Sequence, residues 1–288
     1  MHSPSPDLIA RTERILRSKT TAWTPVNRGY TPAERWLTTT SSSSAFVKCG
    51  VTSLTAKWLR REFHAYDQVT GSFIPELIGW EDDENAPLLI IADLSQSFWP
   101  PPWTPERIDR VRDCLDEMHG TRTAMPPFAA IHGRVSGWND VAANPAEFLS
   151  LKMASSEWLE KSLPVLLQAE SACSTEGTAL THWDIRSDNI CITSHGVKLI
   201  DWPASCLSNP KLDLGSWLPS LASEGGPLPE AILPNEPQVA AWICGFFAAR
   251  AGRPEILDAP LVRSVQRRQL AAALPWTIRA LHLSDSLR

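Results

Sequence analysis

No two cysteines in this 288-residue sequence stand in C-x-x-C or zinc-ligand spacing. The six that occur (Cys49, Cys114, Cys173, Cys191, Cys206 and Cys244) are scattered. Reduced, mostly buried thiols are therefore expected, not a disulfide framework or a zinc site. Basic residues are not in excess either: the net charge is −5, which implies no basic face for nucleic acid or an anionic membrane. The longest apolar run, Ala240 to Ala249, is too short to span a bilayer. At the N-terminus Arg11, Arg14, Arg17 and Lys19 mix with Asp7 and Glu13, and no apolar signal core precedes them. These absences point to a cytoplasmic protein without a membrane or nucleic-acid partner. A G-x-x-x-x-G-K-[ST] loop is also missing, which excludes that nucleotide cradle. Internal repeats are absent, as is low-complexity sequence beyond Thr38 to Ser44. Hydrophobic residues make up 43% and charged residues 20%, ordinary proportions for a globular chain long enough for one large domain or two lobes.

The most informative stretch runs from Thr181 to Trp202, THWDIRSDNICITSHGVKLIDW. Ile190 to Thr193 and Val197 to Ile200 are rich in β-branched and apolar residues and read as two strands. Ser194-His195-Gly196 between them is turn material. Folding that hairpin brings the loop before it and the loop after it to one end. Asp184, Asn189 and Asp201 then converge on one small volume. Asn189 and Asp201 are hard oxygen donors suited to Mg²⁺. Asp184 is a carboxylate able to orient an attacking hydroxyl and take its proton.

The order H-x-D-x-x-x-x-N, a strand pair, then Leu-Ile-Asp is that of the catalytic and metal loops of protein kinases and their relatives. With HWDIRSDN and LIDW, the stretch resembles the aminoglycoside phosphotransferase family of the protein kinase-like superfamily. The resemblance implies an α+β, bilobal protein kinase-like fold. A small N-terminal lobe, residues 1–94, would carry an antiparallel sheet plus a helix and bind nucleotide. A larger, mostly helical lobe, residues 95–288, would carry catalysis and the acceptor. It also implies transfer of the γ-phosphate of ATP or GTP, with Mg²⁺, to a free hydroxyl of a small molecule, by a monomer or homodimer. In those terms Asp184 is the base, and Asn189 and Asp201 hold the metal. Arg186 stabilises charge on the transferred group. His182 braces the two loops, and Asp213, in the segment SNPKLDL, anchors the catalytic loop.

Earlier in the chain the same resemblance places other parts. Two strand-like segments, AWTPV and ERWLTTT, flank Asn27-Arg28-Gly29-Tyr30, where such folds lay a flap over the phosphates. Arg28 and Gly29 are the candidates, although Gly29 is the only glycine there. Lys48, after Ala45-Phe46-Val47, would hold the α- and β-phosphates and pair with Glu62 on a helix expected over Leu54 to Val69. The apolar run Leu88 to Ala92 reads as a buried strand. Asp93 and Leu94 after it are hinge candidates, meeting the adenine edge through main-chain groups. A helix is expected from Thr104, as N-cap, to Gly120. Residues Thr121 to Asn144 read as loop. Helices are expected again over Pro145 to Leu151, Trp158 to Gln168, Gln238 to Ala251, and Pro260 to Leu283 with a bend at Pro275.

Two departures stand out. Trp183 occupies a place where antibiotic kinases commonly have Gly, and Trp202-Pro203 replaces Phe-Gly. No A-P-E segment or long activation loop separates Asp201 from Asp213, which argues against a protein substrate. The family suggests an antibiotic as acceptor (an aminoglycoside or another sugar- or nucleoside-bearing natural product) and hence resistance. A kinase for an amino alcohol or sugar, or an inactive nucleotide-binding protein, are the alternatives. The larger lobe carries 16 acidic against 14 basic residues from Thr121 to Arg288, too even to demand a cationic acceptor. Trp138, Trp158, Trp217 and Trp242 fit the core best, and any of them could instead stack on a ring.

Overall fold

Alternating side chains on the strand Ser44–Cys49 set the layout of the first lobe. Ala45, Val47 and Cys49 point to one side, into a small core with Leu8, Trp36, Leu88 and Ile90. Phe46 and Lys48 point to the other. The computed structural model describes residues 3–27, 29–133, 135, 137–257 and 259–285.

The chain opens with helix α1 (Pro6–Leu16), capped by the Ser5 hydroxyl. Strands β1 (Thr20–Pro25), β2 (Glu34–Thr40), β3 (Ser44–Cys49), β4 (Leu77–Glu81) and β5 (Leu88–Ala92) follow. They form one antiparallel sheet in the order β1-β2-β3-β5-β4. Between β3 and β4 runs α2 (Ser53–Gln68), started by a capping box of Thr52 and Thr55. The second lobe begins with α3 (Pro105–Gly120), whose Thr104 N-cap accepts a hydrogen bond from the Arg107 N–H.

Residues 121–144 depart from the loop expected of them, since they contain α4 (Phe128–His132) and α5 (Trp138–Ala143). Helices of one or two turns are too short to print a 3.6-residue pattern on the sequence. Next come α6 (Pro145–Leu149), α7 (Ser156–Ser171), β6 (Ala179–Thr181), a 3₁₀ turn (Ser187–Asn189), β7 (Ile190–Thr193), β8 (Gly196–Leu199) and β9 (Cys206–Ser208). The chain ends in α8 (Lys211–Ser223), α9 (Pro229–Ile232), α10 (Pro237–Ala251) and α11 (Val262–Ala280), the last with Pro275 inside it.

The fold is thus α+β, as expected. β7 and β8 make the anticipated hairpin, with Ile190 opposite Leu199 and Thr193 opposite Gly196. One large core runs from Leu59 and Tyr66 of α2 through α3 to Trp217, Ala240 and Leu270 of the last helices. Both lobes therefore share apolar contacts, and the sheet's second face rests on that core through Leu89 and Ile91. Trp138, Trp158 and Trp217 are fully buried in it. All six cysteines are free, five of them buried. Among the described residues no helix is long and apolar enough to cross a membrane.

α1 is clamped to the sheet by Arg11, which is only 4% exposed. Its Nε donates to Glu81 Oε1 at 2.7 Å and its Nη2 to the Ala86 carbonyl at 2.7 Å. Removing the guanidinium leaves the Ala86 carbonyl without that donor, while Glu81 keeps Arg14 as its partner. Arg11→Met is expected to lower stability by about 1–3 kcal/mol in urea unfolding. A change within the error of the measurement would show that α1 is not held this way.

Candidate active site

Three side chains from three elements meet below the sheet. Lys48 leaves β3 on the side away from α1, and its Nζ donates to Glu62 Oε2 of α2 at 2.6 Å and to Asp201 Oδ1 at 2.9 Å. Burial disfavours the ammonium, but the charges of Asp201 and Glu62 outweigh it and raise the Lys48 pKa. Asp201 stands just past the β7–β8 hairpin. Burial pushes its carboxyl up, yet the Lys48 charge and hydrogen bond win and hold it down at about 2.

The loop before the hairpin is fixed from beneath. Asp213, fully buried on α8, accepts from the His182 N–H at 2.8 Å and the Trp183 N–H at 2.7 Å. His182, also fully buried, places Nε2 3.0 Å from the Ile200 carbonyl and Nδ1 3.3 Å from the Asp184 N–H. One neutral tautomer, protonated on Nε2, satisfies both contacts, and burial lowers the pKa in keeping with that. His182 thus ties the two loops, as a brace would. Trp183 has φ +66° and Asp201 φ +67°, left-handed values uncommon for non-glycine residues. Such a backbone would suit the glycine that the resemblance implies in the place of Trp183.

Asn189, at the end of the 3₁₀ turn, donates from Nδ2 to the Asp184 carbonyl at 2.9 Å and to Asp184 Oδ2 at 3.0 Å. Arg186 Nη2 lies 3.2 Å from that same Oδ2, its Nε 3.1 Å from Asp188 Oδ1, and its guanidinium 5.1 Å over the Tyr30 ring. Asp184 Oδ1 carries no hydrogen bond among the described residues and is left for a ligand. Burial pushes the Asp184 carboxyl up; with the Asp201 and Asp188 charges it overcomes Arg186 and Asn189, and the pKa rises to about 6.

Two cavities meet at this cluster. The first, of ≈ 290 Å³, lies under the sheet and is lined by Gly29, Lys48, Glu62, Leu94, Asn189 and Asp201, among others. The second, of ≈ 380 Å³, is lined by residues of α2, α4, α10 and α11 together with Trp183 and Asp184. Lys48, Arg186 and Asp201 border both.

Of the residues expected at the site, Lys48, Glu62, Gly29, Leu94, Asp184, Arg186, Asn189 and Asp201 are brought together. Asp93 is not: it lines neither cavity, and its carboxylate accepts from the Ser95 N–H at 2.7 Å, closing the turn after β5. Arg28 lies outside the described residues. Arg35 was not foreseen. It stands opposite Lys48 in the β2–β3 register and lines both cavities. Its only sequence signal is that register, which has to be known before the two cations can be seen as neighbours. Asp188, partner of Arg186, and the rings Phe128 and Phe246 of the second cavity also went unread.

A carboxyl that must be ionised to accept a proton loses that capacity as pH falls through its pKa. With Asp184 raised to about 6, kcat/KM is expected to fall below pH 6 with unit slope, and Asp201, near 2, adds nothing in that range. A profile flat down to pH 5 would contradict the assignment.

Comparison with known proteins adds an independent finding. The sequence profile described as APH, phosphotransferase enzyme family, matches residues 22–254. No curated protein matches the chain. Among solved structures, a thermostable mutant of aminoglycoside phosphotransferase APH(4)-Ia in its apo form aligns with TM-score 0.62 at 14% identity, over 94% of this chain and 98% of that one. The same enzyme in ternary complex with ADP and hygromycin B aligns with TM-score 0.62 at 13% identity, over 95% and 98%. The choline kinase LicA from Streptococcus pneumoniae aligns with TM-score 0.63 at 13% identity, over 96% and 98%. At such identities the likeness speaks for the fold.

Proposed function

The chain belongs to the APH phosphotransferase enzyme family, and from that membership we propose that it moves the γ-phosphoryl group of ATP or GTP to a hydroxyl of a small natural product, antibiotics among them. The observation that carries this reading is the place of Asp184: a half-exposed carboxylate with one oxygen free among the described residues, lining the second cavity beside Arg186, which borders both cavities.

In the proposed reaction nucleotide occupies the cavity under the sheet and the acceptor occupies the other. The acceptor oxygen forms a bond to the γ-phosphorus, the bond from that phosphorus to the β–γ bridging oxygen breaks, and the hydroxyl proton passes to Asp184. The products are a nucleoside diphosphate and a phosphate monoester. Positioning and charge neutralisation supply most of the rate in such transfers. Lys48, held by Glu62, would face the α- and β-phosphates. Arg186, between the cavities, would meet charge on the group in transit. Asp201 has one oxygen on Lys48, and Asn189 donates through its nitrogen, so each keeps an oxygen for a hard cation. Two such donors suit Mg²⁺, which takes its remaining ligands from water and phosphate. When bound, the ion would neutralise the β- and γ-phosphates.

Substitutions separate these roles. Asp184→Asn is expected to lower kcat by about 10²–10⁴-fold while leaving Mg-nucleotide affinity unchanged. Asp201→Asn should instead weaken Mg-nucleotide binding at least about tenfold. Coupled nucleotide-diphosphate release and titration calorimetry read the two quantities. Full activity in either variant would refute its assigned role.

A further inference from the structure

The second cavity is more specific than phosphoryl transfer requires. Its volume of ≈ 380 Å³ lies at the small end for small-molecule sites. One wall is a run of touching rings: Phe128 lies 4.7 Å from Trp183, Trp183 5.2 Å from Trp242, and Trp242 5.9 Å from Phe246, centroid to centroid. Trp183 directly precedes Asp184, so this wall begins one residue from the carboxylate.

The charges oppose a cationic ligand. Among the described residues the only carboxylates lining the cavity are Asp184 and Asp201, both assigned above to the reaction. Its cations are Arg35, Lys48, Arg61 and Arg186. Arg61, half-buried on α2, forms no ion pair among the described residues. An aromatic wall can hold a quaternary ammonium group against ring faces, but Phe246 already carries the Arg250 guanidinium 4.2 Å from its centroid. His132 beside Phe128 senses the same field, since burial and then the Arg61 and Arg250 charges lower its pKa against the pull of the Ala204 carbonyl.

A polar feature sits among the rings. Gln269 of α11 lines the cavity and is 7% exposed, and its Oε1 accepts no hydrogen bond among the described residues. A buried amide oxygen left without a donor is costly unless a ligand supplies one.

Building on the phosphotransferase reading, we propose that the acceptor is an uncharged, ring-bearing alcohol of nucleoside or aryl-glycoside size. Its flat ring lies on Trp183, which Trp242 holds in place from behind by an edge-on contact at 64°, its reacting hydroxyl sits at Asp184, and a second hydroxyl or N–H donates to Gln269 Oε1. Polycationic aminoglycosides and quaternary ammonium alcohols are disfavoured by Arg35 and Arg61.

The test is calorimetric titration of the full chain, loaded with Mg²⁺ and AMP-PNP. The ligands are an aryl glucoside and a pyrimidine nucleoside on one side, hygromycin B and choline on the other. At least one ring alcohol is expected to bind at least about tenfold tighter than either cation. Trp242→Ala should weaken that binding about tenfold, with Trp242→Phe retaining most of it. Gln269→Met should weaken it while leaving Tm unchanged or raised, because an orphaned oxygen is removed; a purely structural glutamine would lower Tm instead. Tighter binding of a cation, no binding of either ring alcohol, or a Trp242→Ala variant equal to the parent overturns the proposal and leaves the phosphotransferase reading standing. Failure to load Mg-AMP-PNP at all would instead strike at that reading, and the proposal would fall with it.

Discussion

The site depends on one buried carboxylate that touches no ligand cavity. Asp213 accepts the backbone N–H groups of His182 and Trp183, with His119 Nε2 3.1 Å from the same carboxylate. Left-handed backbone at a tryptophan costs on the order of 1–3 kcal/mol, and two charge-assisted hydrogen bonds from that turn offset it. The turn in its new direction aims Asp184 into the second cavity, beside Arg186. His182 extends the grip to the Ile200 carbonyl, so Asp184 and Asp201 are held in one frame although a hairpin separates them in the chain. Trp202 completes it from the other side, fully buried against Phe73 and His182 and donating from Nε1 to the Leu199 carbonyl at 2.7 Å.

That frame sets two carboxylates in opposite electrostatic states. Asp201, beside Lys48, is held at about 2, and Asp184, partly desolvated and near the acids Asp201 and Asp188 with Arg186 as counterweight, rises to about 6. A pair pushed apart in this manner suits a division of labour, one group staying ionised toward a cation and the other exchanging a proton near neutrality. Lys48 belongs to the sheet, Glu62 to α2 and Asp201 to the second lobe, so their contacts also tie the lobes together across the cleft.

Much of this was legible in residues close in sequence. HWDIRSDN, the β7–β8 hairpin and LIDW predict a local cluster because a two-residue turn fixes the register. Lys48 and Glu62 were readable as strand and helix positions, and Leu94 as the residue just past a buried strand. Long-range pairing was not legible. Arg35 becomes Lys48's neighbour only through the β2–β3 ladder. The aromatic wall joins Phe128, Trp183 and Trp242 from segments that share no sequence pattern, and nothing in the sequence set Trp242 apart from the three other tryptophans that could fill the core or stack on a ring. The short helices α4 and α5 escaped for lack of length. Asp93 was read as a hinge residue through its main chain; it lines neither cavity, and its side chain closes the turn after β5.

The central claim is that one polar cluster serves two cavities, nucleotide on the sheet side and acceptor on the aromatic side. A crystal structure of the protein with Mg²⁺, AMP-PNP and an acceptor tests it most directly. The account predicts a metal about 2.1 Å from an Asp201 carboxylate oxygen and the Asn189 amide oxygen, triphosphate beneath Lys48, and the acceptor hydroxyl within hydrogen-bond reach of Asp184. Triphosphate seated against Trp183 and Trp242, or a metal touching neither Asp201 nor Asn189, would contradict it.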